Sequence, residues 1–157
     1  MANIKRLVIH CSDSMWGDVE VIRQWHKQRG WKDIGYNAVI LNGYRGSHSP
    51  FDPKVDGLVE LGRGLNFDPI LEGNEIGAHA MGFNSESIGV CLIGTGTYTV
   101  SQVQALEAFC VLWIKVVPGI QIVGHYELDR RKTCPNMDMN DWRTRLHSWK
   151  GLEFTGP

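Results

Sequence analysis

Two short apolar runs far apart in the chain, Arg6-Leu7-Val8-Ile9-His10 and Ile120-Gln121-Ile122-Val123-Gly124-His125, each finish on a histidine. Runs of this length and composition read as buried strands, and strands ending side by side can deliver two imidazoles to one point. Cys134 follows nine residues after His125 in the loop Arg131-Lys132-Thr133-Cys134-Pro135, where Pro135 pushes the preceding residue into extended geometry and exposes the thiol. Taken singly, a strand-end histidine is commonly a hydrogen-bonded core residue and a cysteine a small hydrophobe. Together, His10, His125 and Cys134 make an open zinc-binding set, one Zn2+ per chain. Three protein ligands leave a position for water, which the metal acidifies toward neutral pH.

The 157 residues fit one domain, large enough to bury about two thirds of its unfolded surface. Sixteen basic residues against seventeen acidic ones give a formal net charge of −1, which argues against a nucleic-acid or membrane-surface binder driven by bulk charge. No apolar stretch approaches the roughly 20 residues of a membrane span. The start, Met1-Ala2-Asn3-Ile4-Lys5-Arg6, runs into a strand without the apolar centre of a signal peptide. Accumulation in the cytoplasm is expected, as a monomer without a membrane span. Under reducing conditions Cys11, Cys91, Cys110 and Cys134 stay thiols. Strand alternation turns Cys11 to the face opposite His10, and it reads as core, as do Cys91 and Cys110 in their apolar runs.

Val19 to Gln28 carries a helical apolar stripe with Asp18 as cap and Gly30 as stop. His26 lies at the edge of that stripe and reads as packed rather than ligating. Asn37 to Leu41 and Leu58 to Leu61 read as paired strands. The segment between them, Asn42 to Gly57, is long and rich in Gly, Ser, Pro and Asp, and its His48 reads as a solvent-exposed loop residue. Ser87 to Ile93 is a further buried strand. Ser101 with Gln104 offers a capping box for a helix to Val117, and Asp138 to Trp149 supplies a last helix. Glu153 to Pro157 reads as a frayed tail. The order strand, helix, two strands, strand, helix, strand, helix predicts an α/β fold: a single mixed sheet flanked by about three helices.

Val8-Ile9-His10-Cys11-Ser12, Ile22-Arg23-Gln24-Trp25-His26-Lys27, Gly30-Trp31-Lys32-Asp33-Ile34-Gly35-Tyr36, Gly77-Ala78-His79-Ala80, Gly82-Phe83-Asn84, Ser87-Ile88-Gly89-Val90-Cys91-Leu92, Gly124-His125-Tyr126-Glu127 and Lys132-Thr133-Cys134-Pro135 stand in one order along the chain. In these blocks, from Lys5 to about Trp149, the chain resembles the zinc-dependent N-acetylmuramoyl-L-alanine amidases, most closely the amidase-type lysozymes of tailed bacteriophages. The resemblance implies a peptidoglycan recognition protein-like fold with the metal in a cleft at one edge. It implies hydrolysis of the amide between N-acetylmuramic acid and the L-alanine of the stem peptide, in an endolysin acting on the host wall after membrane permeabilisation. Bacterial peptidoglycan is the implied partner.

Tyr36 and Lys132 match positions where such amidases carry groups that assist the metal. Two neutral imidazoles and a thiolate leave a zinc site with net charge of about +1, so donors to a developing oxyanion are expected beside it. His79 and Asn84 are implied to line the substrate groove, and Glu60 and Arg63 to stand at a strand end facing it. Asn37 and the long Asn42 to Gly57 segment depart from the pattern and bear on substrate detail. A non-catalytic wall-binding module is the alternative, against which Cys134 argues. A second implied activity is binding and inhibition of a phage RNA polymerase.

Overall fold

The computed structural model describes residues 2–157. Its centre is a six-stranded mixed sheet in the order β4-β3-β6-β2-β7-β8, built from β2 (Arg6–Cys11), β3 (Ala38–Ile40), β4 (Val59–Leu61), β6 (Ser87–Leu92), β7 (Ile120–Gly124) and β8 (Phe154–Thr155). Only the β3–β4 pairing is antiparallel. A separate ribbon joins β1 (Ala2–Asn3) to β5 (Ile70–Leu71).

The parallel centre follows from composition, since strands covered on both faces are apolar throughout. Strand β2 sends Leu7 and Ile9 to one side, where α2 (Val100–Val116) and α4 (Met139–His147) pack through Leu106, Cys110, Trp113, Met139, Trp142 and Leu146. On the other side α1 (Val19–Gln28) buries Val19 and Ile22 against Val39, Leu41, Cys91 and Ile93. His10 alternates with Leu7 and Ile9, which removes it from the α2 face. The one-turn helix α3 (His125–Leu128) begins directly where β7 ends.

Helix α1 has the expected bounds, with the Asp18 side chain accepting from Val21 N at 2.8 Å. Helix α2 is capped differently from the expectation. Thr99, not Ser101, is the N-cap; its hydroxyl accepts from Gln102 N, and Gln102 Oε1 accepts from Thr99 N, each at 3.0 Å. The register is fixed from outside the helix. Gln102 is fully buried, and its Nε2 donates to Ile40 O and Ile93 O at 3.1 and 2.8 Å, while Thr99 Oγ1 donates to Asp56 Oδ1 at 2.6 Å. The C-terminal residues are not a frayed tail: β8 adds to β7 in parallel and Phe154 is buried. Burial of that ring against the core offsets the entropy of ordering the end of the chain.

The 42–57 segment is a loop, as expected, but a rooted one. Val55 is buried in the α1 cluster, Gly57 N donates to Leu41 O at 2.7 Å, and Gly17 N donates to Tyr44 O at 2.8 Å. No helix among the described residues is long and apolar enough to cross a membrane.

Candidate metal centre and cleft

His10, near the end of β2, His125, the first residue of α3, and Cys134 converge. One ligand atom from each lies within 4.8 Å of the others. Cys134 Sγ stands 3.3 Å from His125 Nδ1 and 3.9 Å from His10 Nδ1. Two ligands of one tetrahedral zinc, with bonds of about 2.1 and 2.3 Å, stand about 3.6 Å apart, so the observed separations bracket what one ion requires.

The imidazoles are oriented by a chain that fixes their tautomers. The Ser87 carbonyl can only accept, so His79 Nε2, 3.4 Å away, carries a proton, and His79 Nδ1 must accept. His10 Nε2, 2.9 Å from that nitrogen, therefore donates, which leaves His10 Nδ1 as a bare lone pair aimed at the cysteine. Burial keeps this chain uncharged. The His79 pKa is lowered to about 4, and that of His10 falls well below its usual value through burial and the charges of its neighbours. His125 is shifted the same way by burial and by Lys132. All three rings are held as neutral donors near pH 7.

Cys134 is positioned by its loop. Cys134 O accepts from Tyr126 N at 3.0 Å, Pro135 O accepts from the Tyr98 hydroxyl at 2.5 Å, and Asn136 Nδ2 donates to Thr95 O at 2.8 Å. Cys11 is buried, as its core reading expects, and the same loop brings it a second neighbourhood. Its thiol is buried on the alternate face of β2, yet it borders the cleft with Cys134 because residues 133–136 fold over the strand end. Without a cation, the contact with the Cys11 sulfur and burial push the Cys134 thiol up; a dication at the three donors supplies the charge that a thiolate needs there.

Two clefts meet at this point. One, of about 530 Å³, runs from His125 and Lys132 past Ala80, Met81 and Asn84; the other, of about 360 Å³, runs past Tyr36, His26 and Arg29. Trp31, His79, His125 and Lys132 belong to both. Tyr36 packs against His10, ring centroids 5.1 Å apart, and burial raises its pKa well above the usual phenol value, so it stays a protonated donor. Asn84 borders the larger cleft while its Oδ1 accepts from His79 N at 2.9 Å and Ala80 N at 2.8 Å, which shapes the wall.

Glu60 and Arg63 are placed elsewhere. Glu60 accepts from Val19 N at 3.2 Å and pairs with Arg45 at 3.0 Å beside the start of α1. Arg63 donates to Ile34 O and Ile76 O at 2.8 and 3.0 Å, stapling two loop segments together. Neither lines the two clefts: Glu60, on the outer strand β4, meets the start of α1, and Arg63, two residues past that strand, meets the backbone at Ile34 and Ile76. Asn37 is fully buried and bridges Gly89 N and Glu75 O at 2.9 and 2.7 Å, so its departure from the family pattern concerns the scaffold.

Three further residues support the site: His26, packed as expected, and Glu127 and Arg143, whose pairing was not read from the sequence. His26 Nδ1 accepts from Gly35 N at 2.8 Å, which fixes the residue before Tyr36, and its ring faces Trp31 and Tyr36 at 4.5 and 5.5 Å. Glu127 accepts from Gly124 N at 2.9 Å and holds Arg143 through contacts of 2.8 and 2.9 Å, while Arg143 also donates to Ile122 O at 2.9 Å. This largely enclosed pair locks the β7–α3 junction that presents His125. A glutamate three residues after a strand-ending glycine is a capping signal that could have marked it.

The model of the N-acetylmuramoyl-L-alanine amidase family matches residues 1–137. The chain belongs to that family. The amidase is 33% identical over 147 residues to the endolysin of Escherichia phage T7, covering 87% of this chain and 83% of that one. It is 33% identical over 152 residues to the endolysin of Enterobacteria phage T3, covering 90% and 86%. Among solved structures it is similar in fold to the endolysine N-acetylmuramoyl-L-alanine amidase LysCS from Clostridium intestinale URNW, with a TM-score of 0.71 at 24% identity, covering 93% of this chain and 85% of that one. It is also similar to Drosophila PGRP-LB, with a TM-score of 0.67 at 23% identity, covering 97% and 84%.

Proposed function

We propose that this amidase acts as a phage endolysin that cleaves the bond between N-acetylmuramic acid and L-alanine in host peptidoglycan, with one zinc held by His10 Nδ1, His125 Nδ1 and Cys134 Sγ. The observation that carries the reading is the Ser87–His79–His10 chain, which leaves a single lone pair of His10 for a metal beside a thiol and a second imidazole. When bound, the ion supplies an acidified water and polarises the substrate carbonyl.

The chain's own groups do the rest. Tyr36, protonated and packed on His10, donates its phenolic hydrogen to the oxygen on which charge develops. Lys132 stands on the wall shared by both clefts and brings a positive charge to the same place. His79 moves no proton; it holds His10 in one tautomer and orientation. Trp31 and Met81, both exposed at the larger cleft, offer apolar surface to a glycan.

Digestion of purified walls followed by mass spectrometry tests the reading. New free L-alanine amines are the expected product. New reducing sugar ends without such amines overturn it in favour of a glycosidase, and binding without any new end makes the chain a wall-binding module.

A further inference from the structure

The two clefts differ in kind where they leave the metal centre. The larger passes small residues, Ala80 and Gly82, and the exposed thioether of Met81; the smaller passes Asp13, His26, Tyr36 and Arg29. A substrate whose scissile amide lies over the ligands must send one arm into each. Arg29 is the C-cap of α1, its backbone N–H bonded to His26 O and Lys27 O, and the turn through Gly30, φ +88°, sets it beside Trp31 at the cleft.

Nearby arginines are already engaged. Arg23 holds Glu20 at 2.6 Å and Asp33 at 2.8 Å, and Arg131 holds Asp129 at 3.0 Å. Arg29 has no ion-pair partner among the described residues, although it borders two cavities. An unpaired guanidinium at a concave polar wall matches a carboxylate, which it binds bidentately.

Resting on the amidase reading, we propose that the smaller cleft takes the peptide arm of the substrate and that Arg29 binds a free carboxylate on the residue that follows L-alanine. The glycan arm then lies along Met81 and Trp31. Arg29 is a specificity residue: it touches the ground state as firmly as the transition state, so its contribution appears in KM and not in kcat.

The test uses two soluble N-acetylmuramoyl peptides, identical except that the residue after L-alanine carries a free carboxylate in one and a primary amide in the other. The wild-type enzyme is expected to show a KM about 10-fold lower for the acid, the size of one partly solvated charged hydrogen-bond pair. Arg29→Ala is expected to erase that difference through KM, and Arg29→Lys to keep part of it. A wild-type enzyme indifferent to the two peptides overturns the subsite and leaves the amidase intact. So does an Arg29→Ala enzyme that keeps the preference, or one that loses kcat equally on both. A wild-type enzyme that cleaves neither peptide overturns the amidase reading and the subsite with it.

Discussion

The end of β2 and the rim formed by residues 42–57 use similar polar groups at opposite depths. At the end of β2, His10 and His79 are almost wholly enclosed, and each ring nitrogen has one allowed role because the chain ends on a backbone carbonyl. At the rim, Arg45 reaches Asp18 at 2.9 Å and Glu60 at 3.0 Å with its own side chain 41% exposed, and Tyr44 and Phe51 pack on each other in the open. Buried hydrogen bonds resist change because a lost partner leaves an unsatisfied group; exposed ion pairs contribute about 0–1 kcal/mol. Precision is therefore concentrated at the candidate metal centre, and the rim tolerates variation.

Removing a ligand should expose this contrast most strongly. Cys134→Ser is expected to lose zinc and at least about 1000-fold in kcat/KM together, read by elemental analysis and turnover. Cys110→Ser, in the α2 core, should keep the metal. Full zinc in the Cys134 variant would remove the thiol from the site.

Next come Tyr36 and Lys132, the groups proposed to act on the reacting atoms without holding the ion. Tyr36→Phe and Lys132→Ala should each retain zinc and lower kcat by about 100-fold. If both donate to one oxyanion, the double variant loses less than the product of the single losses. Wild-type kcat in Lys132→Ala would leave Tyr36 as the only auxiliary donor.

One step further out, His79→Ala should weaken zinc affinity or activity by about 10- to 100-fold by freeing the His10 ring. Competition with a chelator measures it, and unchanged zinc affinity with unchanged activity would show that the His10 orientation is set by packing alone.

Much of this architecture is legible in the sequence, for identifiable reasons. Helix α1 carries its own start and stop in Asp18 and Gly30, and the buried strands declare themselves by continuous apolar runs. What was illegible depends on contacts from elsewhere in the chain. Thr99 and Ser101 are equivalent hydroxyls until Gln102 is anchored to the carbonyls of Ile40 and Ile93. Glu60 and Arg63 could face cleft or scaffold until β4 is known to be an outer strand. A two-residue strand such as Phe154–Thr155 has no periodicity to read. The proximity of Cys11 to Cys134 arises from a loop folding over a strand end, which alternation cannot see.

The smallest effects belong to the rim. Arg45→Ala should change stability by less than about 1 kcal/mol and turnover on a small soluble muropeptide by less than about twofold. Val55→Ala, which removes a buried contact beneath the same loop, should cost about 1–2 kcal/mol while leaving zinc in place. Denaturant titration separates the two, and loss of turnover in the Arg45 variant with the metal retained would make the rim part of the active site.

Zinc-edge X-ray absorption on the purified protein decides whether one sulfur and two imidazoles hold a single zinc. The expected spectrum has one sulfur at about 2.3 Å and a shell of nitrogen and oxygen at about 2.0–2.1 Å. Two sulfurs in the shell would bring Cys11 in as a ligand, and a shell without sulfur would exclude Cys134; either result contradicts that ligand set.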